Sequence, residues 1–233
     1  MDDIQEFSGF PEEALDFFGE LRENNYRDWF NERKSDYQEY VLKPAQAFVV
    51  ALGERLTAIS DSIISDTRTN GRGSILRIYR DIRFSKDKSP YHTRLRIRFR
   101  EGSGEKNTQP GFFFAMDETG GRLMGGMHMF PKPLLEEYRQ AVLDDRAGPL
   151  LVKAIDGIKS LPGYTVGGEH YKRVPRGFDP NHPRADLLRY NTLHVSSSRI
   201  PVGLLKKPDL IDACFQHGLN MAPIHHWLVQ LSR

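Results

Sequence analysis

The chain has 233 residues, 39% of them hydrophobic and 11% aromatic, and at this length a folded domain buries about 70–75% of the surface that its unfolded chain exposes. This composition excludes a disordered protein. No apolar run is long enough for a helical membrane span, and a single cysteine, Cys214, excludes an internal disulfide framework and a thiolate metal cage. The net charge of +2 conceals two opposed blocks: residues 1–66 hold six Lys/Arg against fifteen Asp/Glu, and residues 72–100 hold ten Lys/Arg against two Asp.

The opening MDDIQEFSGF is too acidic for a signal or transit peptide, so a cytoplasmic protein is expected. Ala14, Phe17, Phe18 and Leu21 recur at i, i+3, i+4 and i+7, which predicts an amphipathic helix over about 11–23 behind Pro11. Asn24 and Asn25 end it, Tyr26, Trp29, Phe30, Arg33, Tyr37 and Val41 mark a second helical face, and Pro44 interrupts or restarts it. Phe48 to Ile59 continue the helical period to about residue 60.

From Ile63 the period becomes two. Leu76, Ile78, Ile82 and Phe84 share one parity, and Leu95, Ile97 and Phe99 alternate with Arg94, Arg96, Arg98 and Arg100. Two half-buried strands, 75–83 and 93–100, are predicted to pair antiparallel around SKDKSPYH. Requiring every apolar side chain to face the core sets Leu76 opposite Phe99, Ile78 opposite Ile97 and Ile82 opposite Thr93, with the loop centred on Asp87–Lys88. A Gly-bearing loop, EGSGEKNTQP, leads to the strands GFFFAM and RLMGGMHMF. Helices follow from Pro131 and Pro149. Residues 161–184, rich in proline and glycine, read as an ordered loop clamped by Tyr164, Tyr171 and Phe178. Residues 192–197 alternate as a strand, and 203–219 and 223–232 read as closing helices. The expected fold is a single α+β domain over 1–233, with N-terminal helices packed on a mainly antiparallel sheet of four or five strands and with C-terminal helices.

The predicted register puts Arg77 opposite Arg98, Tyr79 opposite Arg96 and Asp81 opposite Arg94. Like charges placed directly opposite are destabilising. Arginine's planar fork meets phosphate or carboxylate bidentately, so the cluster invites an oxyanion. Two outcomes stay open: the face holds an anion, or the acidic helices cover it with Glu20, Glu23, Glu32 or Asp36. Arg80 has core parity and therefore needs a salt bridge or a bulge. Ligand-binding candidates are Arg77, Tyr79, Arg80, Arg83, Lys86, Lys88, Tyr91, Arg94, Arg96 and Arg176. Candidates for proton transfer are Asp81 and His92, which the register brings close, and Asp179 and His182 of the loop PRGFDPNHP. Asp179 also suits a purely local role on backbone N–H groups. His225 and His226 are adjacent and point about 100° apart on a helix, a poor metal pair. No metal and no cofactor is expected, since GxxxxGK[ST], GxGxxG before a helix and GxSxG are absent.

Several stretches resemble a known family. They are Leu21-Arg22-Glu23-Asn24-Asn25-Tyr26-Arg27-Asp28-Trp29-Phe30 with Lys34 and Tyr37, the run RIYRDIRFSKDKSPY from Arg77 to Tyr91, the Gly125-Gly126 pair, and Pro175-Arg176-Gly177-Phe178-Asp179 with His182-Pro183. They are similar to the family of bacterial and fungal proteins known as domain of unknown function 2461. The resemblance covers most of the chain and departs at Met127-His128-Met129, where an aromatic is usual. It implies one α+β domain with RIYRDIRFSKDKSPY as its signature, and it brings no activity.

Three functions follow as expectations. The first is binding of a phosphate- or carboxylate-bearing small molecule at the basic hairpin, with or without catalysis. The second is a nucleic-acid module using the Arg94–Arg100 face, disfavoured by the acidic first quarter. The third is a structural or interaction protein whose charge blocks pair internally. No membrane partner is expected.

Overall fold

The computed structural model describes residues 4–102 and 109–232. Its helical N-terminal region consists of α1 (Glu12–Glu23), α2 (Arg27–Glu32), α3 (Lys34–Asp36), a π-helical segment (Tyr37–Leu42) and α4 (Lys43–Leu56). Pro44 accounts for the change of winding. It has no N–H to give the Tyr40 carbonyl and its ring clashes there, so the turn before it widens and an α-helix restarts behind it.

The strands are β1 (Ile63–Ile64), β2 (Leu95–Glu101), β3 (Gly111–Asp117), β4 (Gly120–Met127), β5 (Thr165–Glu169) and β6 (Tyr190–Ser196). They form an antiparallel sheet in the order β1-β2-β3-β4-β6-β5. With helices at both ends of the chain, the fold is α+β. The remaining helices are α5 (Lys132–Leu143), α6 (Ala147–Lys159), α7 (Val202–Leu205) and α8 (Leu210–Leu231). No helix is long and apolar enough to cross a membrane.

The chain divides into two compact units. One comprises Met1–Phe99, Phe113–Leu123 and Arg199–Gln216, the other Arg100–Phe112, Met124–Ser198 and His217–Arg233. The first unit is built on aromatic rings. Phe48 lies 4.5 Å from Phe114 and 5.6 Å from Phe10, and Phe17 contacts Trp29, Phe30 and Tyr37 at 5.5–6.2 Å between centroids. Each such side chain, fully buried, contributes about 1.5–3 kcal/mol. In the second unit Tyr138 stacks on Phe130 at 4.7 Å, meets Trp227 edge-on, and donates to the Leu187 carbonyl.

Four expectations are corrected. The sheet has six strands, because β1 is added and because β5 lies within the stretch read as a loop. The two closing helices beyond residue 209 are one, α8, which carries Pro223 on its exposed side, where a missing N–H is best tolerated. Residues 75–83 make no continuous strand: isolated bridges join Ile75 to Ile97 and Tyr79 to Tyr91. The register is therefore displaced from the one predicted, by three residues at Ile75 and by five at Tyr79. Period two fails because Ile75 and Ile78 supply the core contacts, at 1% and 5% exposure, and Phe84 stands 95% exposed. The loop EGSGEKNTQP falls mostly on residues 103–108, outside the described residues.

Candidate oxyanion site on the basic hairpin

Strand β2 turns Leu95, Ile97 and Phe99 into the core and the even-numbered arginines off it, as its alternation predicts. The facing segment is laid along β2 by backbone bonds from Leu76 N to Arg96 O, Arg98 N to Ser74 O and His92 N to Ile78 O, at 2.7–2.9 Å. Between them, residues 80–89 form a self-fastened loop. Arg80 donates to Asp87 and to the Ser89 carbonyl, Asp87 accepts from the Ser89 N–H and hydroxyl, and Lys88 reaches the Ile82 carbonyl. These bonds hold the Asp87 carboxyl well below the ordinary carboxylate range, the Ser89 bonds contributing most. Arg80 is ion-paired, but on an exposed loop and outside any continuous strand, so the core-facing position expected for it does not arise.

Asp81 is turned to Arg83, whose guanidinium and backbone N–H hold its carboxyl down to about 2. The predicted Asp81–His92 pair does not form. The displaced register instead surrounds His92 with arginines: burial, then Arg96, Arg80 and Arg94, push its imidazole down to about 4. His92 is accordingly neutral near pH 7.

Arg96 is the centre of the cluster. Its guanidinium is half-buried and donates to the Arg77 carbonyl at 2.8 Å, and burial and Arg94 hold it below the ordinary guanidinium value. Among the described residues no carboxylate lies within 4 Å of Arg77, Arg94 or Arg96. Of the acidic residues expected to cover them, Glu20 and Glu32 pair with Arg33 instead. Three tyrosines line the region. Tyr37 is buried and its hydroxyl raised, first by burial and then by Tyr79, with Arg96 opposing; Tyr91 is buried and raised too; Tyr79 is 56% exposed. Tyr79 lies 5.3 Å from Tyr91 and 6.0 Å from Phe30, and Phe30 stacks on Tyr91 at 4.3 Å.

The remaining candidates lie apart from this cluster in their bonding. Lys86 and Arg83 are exposed on the loop. Arg176, Asp179 and His182 belong to the second unit. Asp179 accepts from the Asn181 N–H at 2.8 Å and the His182 Nδ1 accepts from the Arg184 N–H at 3.1 Å, the local role that such loop residues commonly take. Phe178 and Tyr171 do clamp this loop, with the Arg139 guanidinium 5.8 and 5.4 Å from their rings. Arg184 then donates to the Val142 and Leu143 carbonyls, closing the C-terminus of α5. Among the described residues no group of three or more His, Cys, Asp or Glu side chains could hold a metal ion.

Sequence reasoning missed two contributors. Tyr37 was visible only as part of a helical face. Asn25, read as a helix terminator, bonds the Tyr91 backbone through both ends of its amide. The segments around Asn25–Phe30 and Arg77–Tyr91 are therefore joined by direct bonds, and they are two of the stretches on which the resemblance rests. A family model described as Conserved hypothetical protein (DUF2461) matches residues 13–227. The chain belongs to this family. The match spans both compact units, so the DUF2461 family includes the hairpin of the first and the Arg184 loop of the second. None of the curated proteins compared matches the chain.

Proposed function

We propose that the hairpin of the first unit binds a small molecule through a phosphate or carboxylate group. The observation that carries this reading is Arg96, a half-buried guanidinium that meets a backbone carbonyl and no described carboxylate, with Arg94 adding like charge beside it. Burying an uncompensated cation is unfavourable, and a bound oxyanion relieves both the desolvation and the mutual repulsion. Burial first, and then Arg96, Arg80 and Arg94, lower the His92 imidazole, which is consistent with this reading. Arginine forks supply paired donors, Tyr79 offers a partly exposed ring and hydroxyl at the rim, and the Arg80–Asp87–Ser89 fastening keeps the loop in place without consuming Arg94 or Arg96.

The test is calorimetric titration and thermal shift at low ionic strength with inorganic phosphate, sulfate, nucleotides and small di-acids. At least one stabilises the protein, with affinity that weakens as salt rises. The variant Arg94→Ala/Arg96→Ala loses the effect while Arg176→Ala keeps it. Inertness towards every anion at low salt would overturn the reading in favour of a face whose charges are balanced within the protein.

A further inference from the structure

The loop PRGFDPNHP uses Asp179 and His182 on its own backbone, and Phe178 is what it brings to α5. Within the second unit Phe178, and Tyr171 from the segment before it, stand 5.8 and 5.4 Å from the guanidinium of Arg139 on α5. The Arg139 side chain is only 13% exposed, its Nε is buried without a hydrogen-bond partner, and none of its N–H groups donates to a described acceptor. Glu136 lies 3.9 Å away, beyond hydrogen-bond reach, with its own side chain 57% exposed. A ring attracts the cation but is no substitute for the paired oxygens that a guanidinium fork meets best. A second buried donor without a described partner, Arg189 Nε, belongs to the residue whose carbonyl accepts from the Tyr171 N–H at 2.9 Å. Arg189 is answered by Glu169 and Asp186, so the unmet cation is Arg139.

We infer that Arg139, Tyr171 and Phe178 form a second binding site, for a small aromatic monocarboxylate. A planar carboxylate matches the guanidinium fork and brings the acceptor oxygens that Arg139 lacks, and leaving a nearly buried cation unmet is costly. The two half-buried rings select the rest of the ligand: they offer an apolar wall to a third ring and nothing to the hydration shell of sulfate or phosphate. The site is fixed in advance. Arg184 ties the far end of the loop to the C-terminus of α5 through the Val142 and Leu143 carbonyls, at 2.6 and 2.9 Å, and His170 and Tyr171 both donate to the Arg189 carbonyl at 2.9 Å. Rings held in place before binding lower its ordering cost. Lys172, Arg173 and Arg176, exposed on the same stretch and without an ion pair among the described residues, draw an anion towards it. The site shares no residue with the basic hairpin of the first unit and stands whether or not that hairpin binds phosphate.

Calorimetric titration of the full chain at low ionic strength with benzoate, benzamide and acetate tests this. Benzoate is expected to bind. Benzamide, which has the ring without the charge, should show no measurable binding, and acetate, which has the charge without the ring, should bind about tenfold more weakly. Arg139→Lys keeps the charge without the fork and weakens benzoate by about tenfold or more. Phe178→Leu weakens it by about tenfold with Arg139 intact, and it carries the test alone should Arg139→Lys fail to fold, as circular dichroism would show. Arg94→Ala/Arg96→Ala keeps benzoate binding, which separates this site from the hairpin. Benzoate that does not bind, benzamide that binds as tightly, affinity unchanged in either folded variant of Arg139 or Phe178, or binding lost in Arg94→Ala/Arg96→Ala would each overturn the inference.

Discussion

The side-chain amide of Asn25 pairs with the backbone of Tyr91 at both ends, donating to its carbonyl and accepting from its N–H, each at 3.0 Å. It thus acts as the peptide group of a neighbouring strand would. The bond pair joins the turn after α1 to the residue preceding His92, and Phe30, from the next helix, stacks on the same tyrosine.

Asn25→Ala should therefore destabilise the protein by about 1–3 kcal/mol, because two partly buried backbone groups lose their partners. Asn25→Asp keeps the acceptor, loses the donor and falls between the two. Urea unfolding measures both, and the same variants should weaken sulfate binding, since the backbone that carries His92 is no longer fixed. A change below about 0.5 kcal/mol would mean that water replaces the amide, as it does for exposed backbone.

The loop at residues 80–89 yields a kinetic prediction. Phe84 is 95% exposed, yet the Arg80–Asp87–Ser89 bonds hold its backbone in one shape. Proteolysis needs local opening of the chain, and removing those bonds raises the open population. Arg80→Ala should accelerate limited chymotryptic cleavage after Phe84 several-fold while shifting global unfolding little. Equal cleavage rates in the two proteins would show that the fastening does not govern the loop.

These two features also mark where the sequence was and was not readable. Leu95, Ile97 and Phe99 announced both strand and face, because one side chain in two must reach the core whatever the partner does. The same rule misplaced Phe84, because parity assumes an unbroken extended chain and the Arg80 fastening ends it early. Ile75 and Ile78 are three apart and both buried, a spacing that alternation cannot express. Asn25 was opaque for a different reason: a polar side chain replacing a peptide group leaves no periodicity. The helical first quarter was legible throughout. The arginine cluster was legible as composition, but which arginines pair with Asp81 and Asp87 depended on loop geometry.

Acid should destabilise the protein, and His225 with Glu101 gives the clearest case. His225 is buried, stacks on Phe112 at 4.8 Å, places Nε2 3.0 Å from Glu101 Oε2 and leaves Nδ1 without a hydrogen-bond partner. A neutral ring donating through Nε2 leaves Nδ1 a bare lone pair; protonation would bury an N–H with no acceptor. Burial lowers its pKa from the ordinary 6.5, against an upward pull from Glu101, and burial lowers His92, His194 and His217 as well. The folded values lie below the unfolded ones, so this stability is fully present above about 6.5 and is lost as pH falls through the folded values. The urea midpoint should be flat from pH 7 to 8 and decline below 6.5. Glu101→Gln keeps an acceptor for Nε2 and removes the charge that holds the His225 value up, so the decline steepens. Stability that rises between pH 7 and 5 would contradict the assignment of these rings as neutral.

Nucleic acid is the competing ligand for the same arginines, and salt dependence separates the two. A protein that neutralises several phosphates loses affinity with a log–log slope of about −0.7 per contact on single strands. Composition alone offered ten cations in residues 72–100. Arg80 and Arg83 are answered within the loop, whereas Arg77, Arg94 and Arg96 have no described carboxylate, so about three contacts are available near the site. Three contacts correspond to a slope of about −2. Residues 1–66, with nine more acidic than basic side chains, add repulsion towards a polyanion. Mixed-sequence single strands should therefore bind weakly at ~150 mM salt, where exposed charges more than about 8 Å apart are largely screened. Fluorescence anisotropy across a salt series decides the matter. A slope near −5 or steeper, with micromolar binding that persists at that salt and disappears in Arg94→Ala/Arg96→Ala, would require an extended basic track and would displace the small-anion site as the reading of this hairpin.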